Sequence, residues 1–172
     1  LLTQVGYTAE RAQAVDLSDG YFDNSQAVVT DGDGPIGNAK TLGDLKAFQL
    51  GVQVGTTSLN YINDNIKPDK APRVYNTNDA AVAALKAKQV DGIVVDLGTA
   101  FYMVSAQLDN GKIVGSLPNI TAPEHFSVLL QKGSALTNCV NQAIGVLKGN
   151  GTLETIRKIW IEAQGNAPAI TQ

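Results

Sequence analysis

Three places in this 172-residue sequence carry residue types that could do chemistry. Gly55-Thr56-Thr57-Ser58 follows the run Leu50–Val54 and precedes a helical pattern, so backbone N–H groups and hydroxyls gather at a helix start. That set suits an anion such as a carboxylate, and a plain N-cap uses the same residues. It is not a Walker loop, because no Lys follows to hold a triphosphate. Asp96 ends the apolar run Ile93–Val95 at a second helix start, where it can accept an ammonium group or cap the helix. Arg11 is one of three arginines, in a short helical pattern that Thr8 would cap. A guanidinium grips a carboxylate with two parallel hydrogen bonds, although a solvated helix arginine is the commoner case.

Composition removes other chemistries. One Cys and one His exclude an internal disulfide and a Cys-based zinc cluster, and leave His125 alone for any metal or triad role. No metal or cofactor is expected. With 13 basic against 16 acidic residues and no basic cluster, nucleic acid is not an expected partner. Gly32, Gly34 and Gly37 spell G-x-G-x-x-G, but Pro35 interrupts the motif and no long helix follows, so the stretch reads as a solvent turn. Asn119-Ile120-Thr121 has the letters of a glycosylation acceptor. The single Met is Met103, so Leu1 is not a translation start, and no signal-like opening or membrane-length apolar run is present.

The elements that must position these residues alternate between strand and helix. Strands are expected at Gln26–Thr30, Leu50–Val54, Arg73–Tyr75, Ile93–Val95, Lys112–Leu117 and Phe126–Leu130. Helices are expected at Leu42–Ala47 with Thr41 as cap, at Leu59–Ile66, at Ala80–Lys88 capped by Asn78 or Asp79, and at 98–108. After Ser134, the residues Leu136, Val140, Ala143, Ile144 and Leu147 form one apolar stripe. A last helix carries Leu153, Ile156 and Trp160, with Trp160 expected in the core and Cys139 partly buried. The tail 165–172 reads as frayed. This alternation predicts an α/β fold with mostly parallel sheets, whose ligands sit beyond the carboxyl ends of strands.

Taken together, the segments resemble family 3 extracellular solute-binding proteins, the amino-acid receptors of ABC importers. The resemblance runs through Thr8-Ala9-Glu10-Arg11-Ala12, Val15–Phe22, Leu42–Lys46, Gly51–Ser58, Val90–Asp96, Leu130–Ser134, Leu147–Leu153 and Ile156–Trp160. It implies a two-lobed periplasmic-binding-protein type II fold closing on a ligand. Lobe 1 would hold 1–24 and 126–172, lobe 2 would hold 25–125, and the chain would cross near 23–26 and 124–127. The family opens with a strand, helix, strand and helix ahead of Thr3, so the first lobe would be incomplete at its N-terminus. Such a lobe would expose apolar surface and tend to self-associate.

By resemblance, Arg11 matches the arginine that clamps the ligand α-carboxylate. Thr56 and Thr57 match the loop that holds the same group from the other lobe. Asp96 matches the partner of the α-ammonium, and Thr3, Gln4 and Gly6 match the segment before the arginine. Gly6 stands where many relatives carry Ser or Thr. The implied role is the substrate-binding component of an ABC importer, not an enzyme. It would be extracellular or periplasmic, with or without a lipid anchor, and would hand an amino acid to a permease. The alternatives are a dehydratase-like enzyme on the same scaffold, with His125 and Glu124 as the spare acid–base pair, or the sensing domain of a receptor. The side chain of the ligand is not specified.

Overall fold

The computed structural model describes residues 1–120, 123–161 and 167–172. In chain order the elements begin with β1 (Leu2–Gly6), α1 (Ala9–Ala14), β2 (Asp16–Leu17), β3 (Phe22–Asn24) and β4 (Gln26–Asp31). Then come β5 (Leu50–Gln53), α2 (Thr57–Tyr61), β6 (Arg73–Tyr75), α3 (Asn78–Lys86), β7 (Gly92–Asp96), α4 (Leu97–Tyr102) and β8 (Gly111–Ser116). The last are β9 (Glu124–Leu130), α5 (Leu136–Gly149) and α6 (Thr152–Trp160). They fall into two compact units, Leu1–Asn24 with Thr121–Gly165, and Ser25–Ile120 with Asn166–Gln172.

Threonine starts three of the helices. Thr8, Thr56 and Thr77 hold extended backbone, and each accepts an N–H from three residues on, at Arg11, Leu59 and Ala80. The cap of α3 is therefore Thr77, ahead of both expected candidates, Asn78 and Asp79. Thr41 Oγ1 accepts from the Asp44 N–H at 3.1 Å, and Asp44 Oδ2 accepts from the Thr41 N–H at 2.9 Å. This reciprocal capping box opens a one-turn 3-10 segment, Asp44–Ala47, where a short helix was expected. The glycine-rich stretch is more than a solvent turn, because Ile36 in its Pro35–Asn38 turn is buried in the core.

In the second unit one sheet runs β6-β5-β7-β4-β8. Strand β5 is parallel to β6 and β7, whereas β4 is antiparallel to both β7 and β8. The sheet is thus mixed, not mostly parallel. The parallel pairs are the ones whose connections run through helices α2 and α3, which is what a parallel crossover requires. Both faces are covered, as the apolar runs predict: Val28, Val52 and Val94 pack in one cluster, Ala27, Val29, Ile93 and Val95 in the other.

In the first unit β9 is the shared partner of β1, β2 and β3, every pair antiparallel. Glu124 lies opposite Asn24 on β3, so residues 124–127 belong to strand β9. Helix α5 forms where expected, yet of its apolar stripe only Ile144 is buried, and Leu136 is 59% exposed. Trp160 is 66% exposed and Cys139 is exposed as well. These three differ from expectation because α5 packs on β9 and α6 on α5, which leaves these side chains uncovered.

Asp16 ties β2 to the start of α5. Its Oδ2 accepts from Thr137 Oγ1 at 2.9 Å and from the Ser134 N–H at 3.2 Å. The Thr137 hydroxyl, the Gly133 and Ser134 N–H groups and Lys132 hold this carboxyl below its ordinary value. A carboxyl depressed in the folded state contributes stability above its unfolded pKa and loses it as pH falls through the folded one. Asp16→Asn is therefore expected to lower the denaturation midpoint at pH 6. That gap should shrink as pH drops below about 4, which urea titrations at stepped pH would follow.

Residues 167–172 of the tail are not frayed. Ile170 is buried, its N–H donates to the Ser116 carbonyl at 2.9 Å, and the Thr171 N–H donates to Lys40 at 2.8 Å. One large apolar residue anchors a segment of otherwise small or polar residues, and it does so in the second unit, not the first as expected. Gly115 leaves room for it: a Cβ there would stand 2.6 Å from Ile170 Cγ1 and 2.9 Å from the Pro168 carbonyl. Gly115→Val is expected to dislodge the tail and cost about 1–3 kcal/mol, as overpacking does. Thermal denaturation beside a chain ending at 166 checks this, since the variant should then make little further difference.

Candidate functional site

In the second unit the chain leaves β5, turns at Gly55 with φ +70°, and enters α2 through Thr56. The left-handed backbone at that turn suits glycine. The Thr56 hydroxyl serves the helix: it accepts from the Leu59 N–H at 3.2 Å and donates to the Gln53 carbonyl at 2.8 Å. What Thr56 and Thr57 present outward are therefore first-turn N–H groups, which have no partner within the helix. Thr57 Oγ1 accepts from Gln26 Nε2 at 3.3 Å, which leaves its O–H proton available to donate.

Asp96 closes β7 and precedes α4, but its side chain makes no capping hydrogen bond. Its Oδ1 instead accepts from Gln26 Nε2 at 3.0 Å. Gln26 lies directly across from it in the β4–β7 register and is buried. Ser58 Oγ donates to Gln26 Oε1 at 2.6 Å. One amide thus joins Asp96, Thr57 and Ser58 from two other elements. Beside them is a cavity of about 20 Å³ lined by Gln53, Thr56, Ser58, Asn78, Asp96 and Thr99, room for a single water. The local sequence offered no sign of Gln26: a glutamine opening a strand matches no motif, and its partners are distant in the chain.

In the first unit, Arg11 sits on α1 with its N–H on the Thr8 hydroxyl and its Nη1 donating to the Gly6 carbonyl at 2.6 Å. Gly6 is buried, and its carbonyl orients the guanidinium. Gln4 has φ +58° at an irregularity in β1, and its N–H donates to Tyr21 Oη at 2.9 Å. Thr3 is exposed on the same strand. The structure therefore joins Thr3, Gln4, Gly6 and Arg11 through one strand–helix segment, and Thr57 and Asp96 through Gln26, with Thr56 linked to them only as the cap of α2.

Other expected features are placed as follows. His125 stacks on Tyr7 with ring centroids 5.3 Å apart, and Glu124 Oε2 accepts from Asn24 Nδ2 at 3.3 Å. Asp91 Oδ2 accepts the Gln49 N–H at 2.7 Å and so ties the start of β7 to the start of β5. The segment Asn119–Thr121 reaches outside the described residues. Among the described residues no group of three or more His, Cys, Asp or Glu could hold a metal ion. No described helix is long and apolar enough to cross a membrane.

The first unit thus holds a cation, Arg11, and the second an anion, Asp96, with first-turn N–H groups beside it. The family model for bacterial extracellular solute-binding proteins, family 3, matches residues 1–163. The ABC transporter arginine-binding protein 1 of Escherichia coli K12 is 27% identical over 166 residues, covering 93% of this chain and 65% of that protein. The L-cystine-binding protein TcyJ of Escherichia coli K12 is 28% identical over 165 residues, covering 95% and 60%. This chain therefore spans less than two thirds of either relative. The crystal structure of the arginine-, lysine-, histidine-binding protein ArtJ from Geobacillus stearothermophilus superposes with a TM-score of 0.75 at 25% identity. That match covers 92% of this chain and 67% of ArtJ.

Proposed function

Because the chain belongs to the bacterial extracellular solute-binding proteins of family 3, we propose that it binds an L-amino acid and delivers it to the permease of an ABC importer. The observation that carries this reading is the state of Asp96. Its carboxylate makes no helix cap and is held by a buried amide beside the donors of α2. In this reading Asp96 takes the α-ammonium. The N–H groups of Thr56 and Thr57 and the Arg11 guanidinium take the α-carboxylate, and Thr3, Gln4 and Gly6 frame the arginine. The chemistry is recognition of a zwitterion by fixed charges, so no general acid or base is needed, and the protein acts as a binding module rather than an enzyme. Its named relatives are binding proteins too.

The two lobes with their crossings, and closure around the amino acid, belong to this proposal. So does a location outside the cytoplasm, as the family's description as extracellular implies. Detergent phase partitioning of the parent protein, expressed in cells, would decide whether a lipid tethers it. A thermal-shift screen with the twenty amino acids, followed by calorimetry, tests the function. One or a few amino acids should shift the melting temperature without being consumed. A protein indifferent to all twenty would refute the reading.

For the 172-residue chain taken by itself, a second copy is the partner we assign to the exposed apolar side chains of α5 and α6. Leu136, Val146 and Leu147 on α5, with Ile156, Ile159 and Trp160 on α6, are all exposed. All six are large apolar side chains of the kind that fill a standard interface of about 800 Å² per partner. Light scattering at tens of micromolar should report a dimer, and the pair Leu147→Glu and Trp160→Glu a monomer. A monomeric wild type would overturn this assignment.

A further inference from the structure

Gln26 is 2% exposed, and nothing in the recognition of a zwitterion requires it to touch the ligand. Its amide is fully oriented. Ser58 Oγ donates to Oε1 at 2.6 Å, so the acceptor end of the amide faces α2. The donor end then gives one hydrogen bond to Asp96 Oδ1 at 3.0 Å and another to Thr57 Oγ1 at 3.3 Å. An amide carries two N–H donors and an oxygen, and turning it over would set two donors against the Ser58 hydroxyl and an oxygen against the Asp96 carboxylate. The three contacts therefore admit one orientation.

Asp96 ends β7 and Thr57 opens α2, two elements whose ends could otherwise shift independently. A single NH₂ group holds both. The register supplies the reach: Gln26 stands opposite Asp96 across the β4–β7 ladder, as the first residue of β4. The span from anion to donors is thus set by one buried side chain. An amino acid has a fixed ammonium-to-carboxylate distance, and a site off by a fraction of an ångström forfeits part of both contacts.

We propose that Gln26 is a positioning residue for amino-acid binding, which fixes the Asp96 carboxylate relative to Thr57 and the first turn of α2 without touching the ligand. This rests on the reading that Asp96 takes the ammonium and the α2 start the carboxylate. Of the residues lining the adjoining cavity, Asp96 is the one that carries a carboxyl; Gln53, Thr56, Ser58, Asn78 and Thr99 bear no ionisable group. A carboxyl introduced at position 26 would therefore couple to Asp96 in particular.

The test uses the whole chain, titrated calorimetrically with each of the twenty standard L-amino acids. Gln26→Leu should weaken binding about tenfold or more. Gln26→Glu places two carboxyls at one proton's distance, so affinity should vary with pH between about 5 and 8, where the wild type is flat. Thr30→Val is the structural control. Thr30 is buried on the same strand, with its hydroxyl on the Asp91 carbonyl at 2.8 Å, and its loss should lower stability but leave affinity unchanged. Should Gln26→Leu fail to fold, Ser58→Ala releases the amide oxygen alone and should still cost several-fold in affinity. A wild type that binds no amino acid overturns both the proposal and the reading beneath it. A wild type that binds, with Gln26 variants of equal affinity and flat pH profile, overturns the proposal and leaves the reading standing. A fall in affinity that merely follows lost stability, with Thr30→Val losing as much, also overturns it.

Discussion

Asp96→Asn is expected to weaken amino-acid binding by about a hundredfold or more while the protein keeps its fold and its melting temperature without ligand. Asparagine keeps the side-chain oxygen that accepts from Gln26 Nε2 and removes only the charge. The β4–β7 ladder, in which Gln26 faces position 96, does not depend on that charge. An ammonium taken out of water without an anion pays its desolvation unrelieved, and this is where the large loss arises. Calorimetry with the amino acid selected by the screen measures it. Retention of affinity within a factor of a few would mean that Asp96 does not take the ammonium. Alanine is the less informative substitution, because it would strand the Gln26 amide and blur a lost contact with a disturbed scaffold.

Arg11→Lys is expected to cost nearly as much as Arg11→Ala, again on the order of a hundredfold. The bond from Nη1 to the Gly6 carbonyl steers the guanidinium and fixes the orientation of its plane. A lysine ammonium keeps the charge but cannot bond a backbone carbonyl and present a parallel pair of N–H groups at once. Both variants should fold, since α1 is capped by the Thr8 hydroxyl through the main-chain N–H of residue 11, and that contact is independent of the side chain. Equal loss in both variants supports a bidentate clamp. A lysine variant that binds like wild type would reduce Arg11 to a source of positive potential.

Much of the fold was legible because local chemistry dictates it. Gln26–Thr30, Leu50–Val54 and Ile93–Val95 read as strands since β-branched and apolar runs of that length favour a pleated, buried chain, and they form β4, β5 and β7. Thr8 and Thr41 were legible as caps because each hydroxyl acts on an N–H three residues away. Thr77 was not, since three successive cap-forming residues, Thr77, Asn78 and Asp79, differ only in which one keeps extended backbone.

What stayed illegible depends on distant partners. The orientation of β4 and β8 is a property of how the chain enters the sheet, not of their composition. The stripe on α5 was correct as a pattern, but periodicity tells which face is apolar and not whether anything covers it; Leu136 and Leu147 stay exposed. Ile170 looked like part of a loose tail because one apolar residue is too little pattern to read, and the space it fills is made by Gly115.

The candidate site divides along the same line. Residue type and position were enough to single out Arg11, the Gly55–Ser58 loop and Asp96, since a cation, an anion and N–H groups at helix starts are local attributes. Whether Asp96 caps its own helix or is held apart from it depended on a hydrogen bond from Gln26, seventy positions earlier in the chain. A side chain's chemistry is carried by its own atoms and can be read along the sequence. Its orientation is set by what folding brings against it, and that is settled only when β4 and β7 lie side by side.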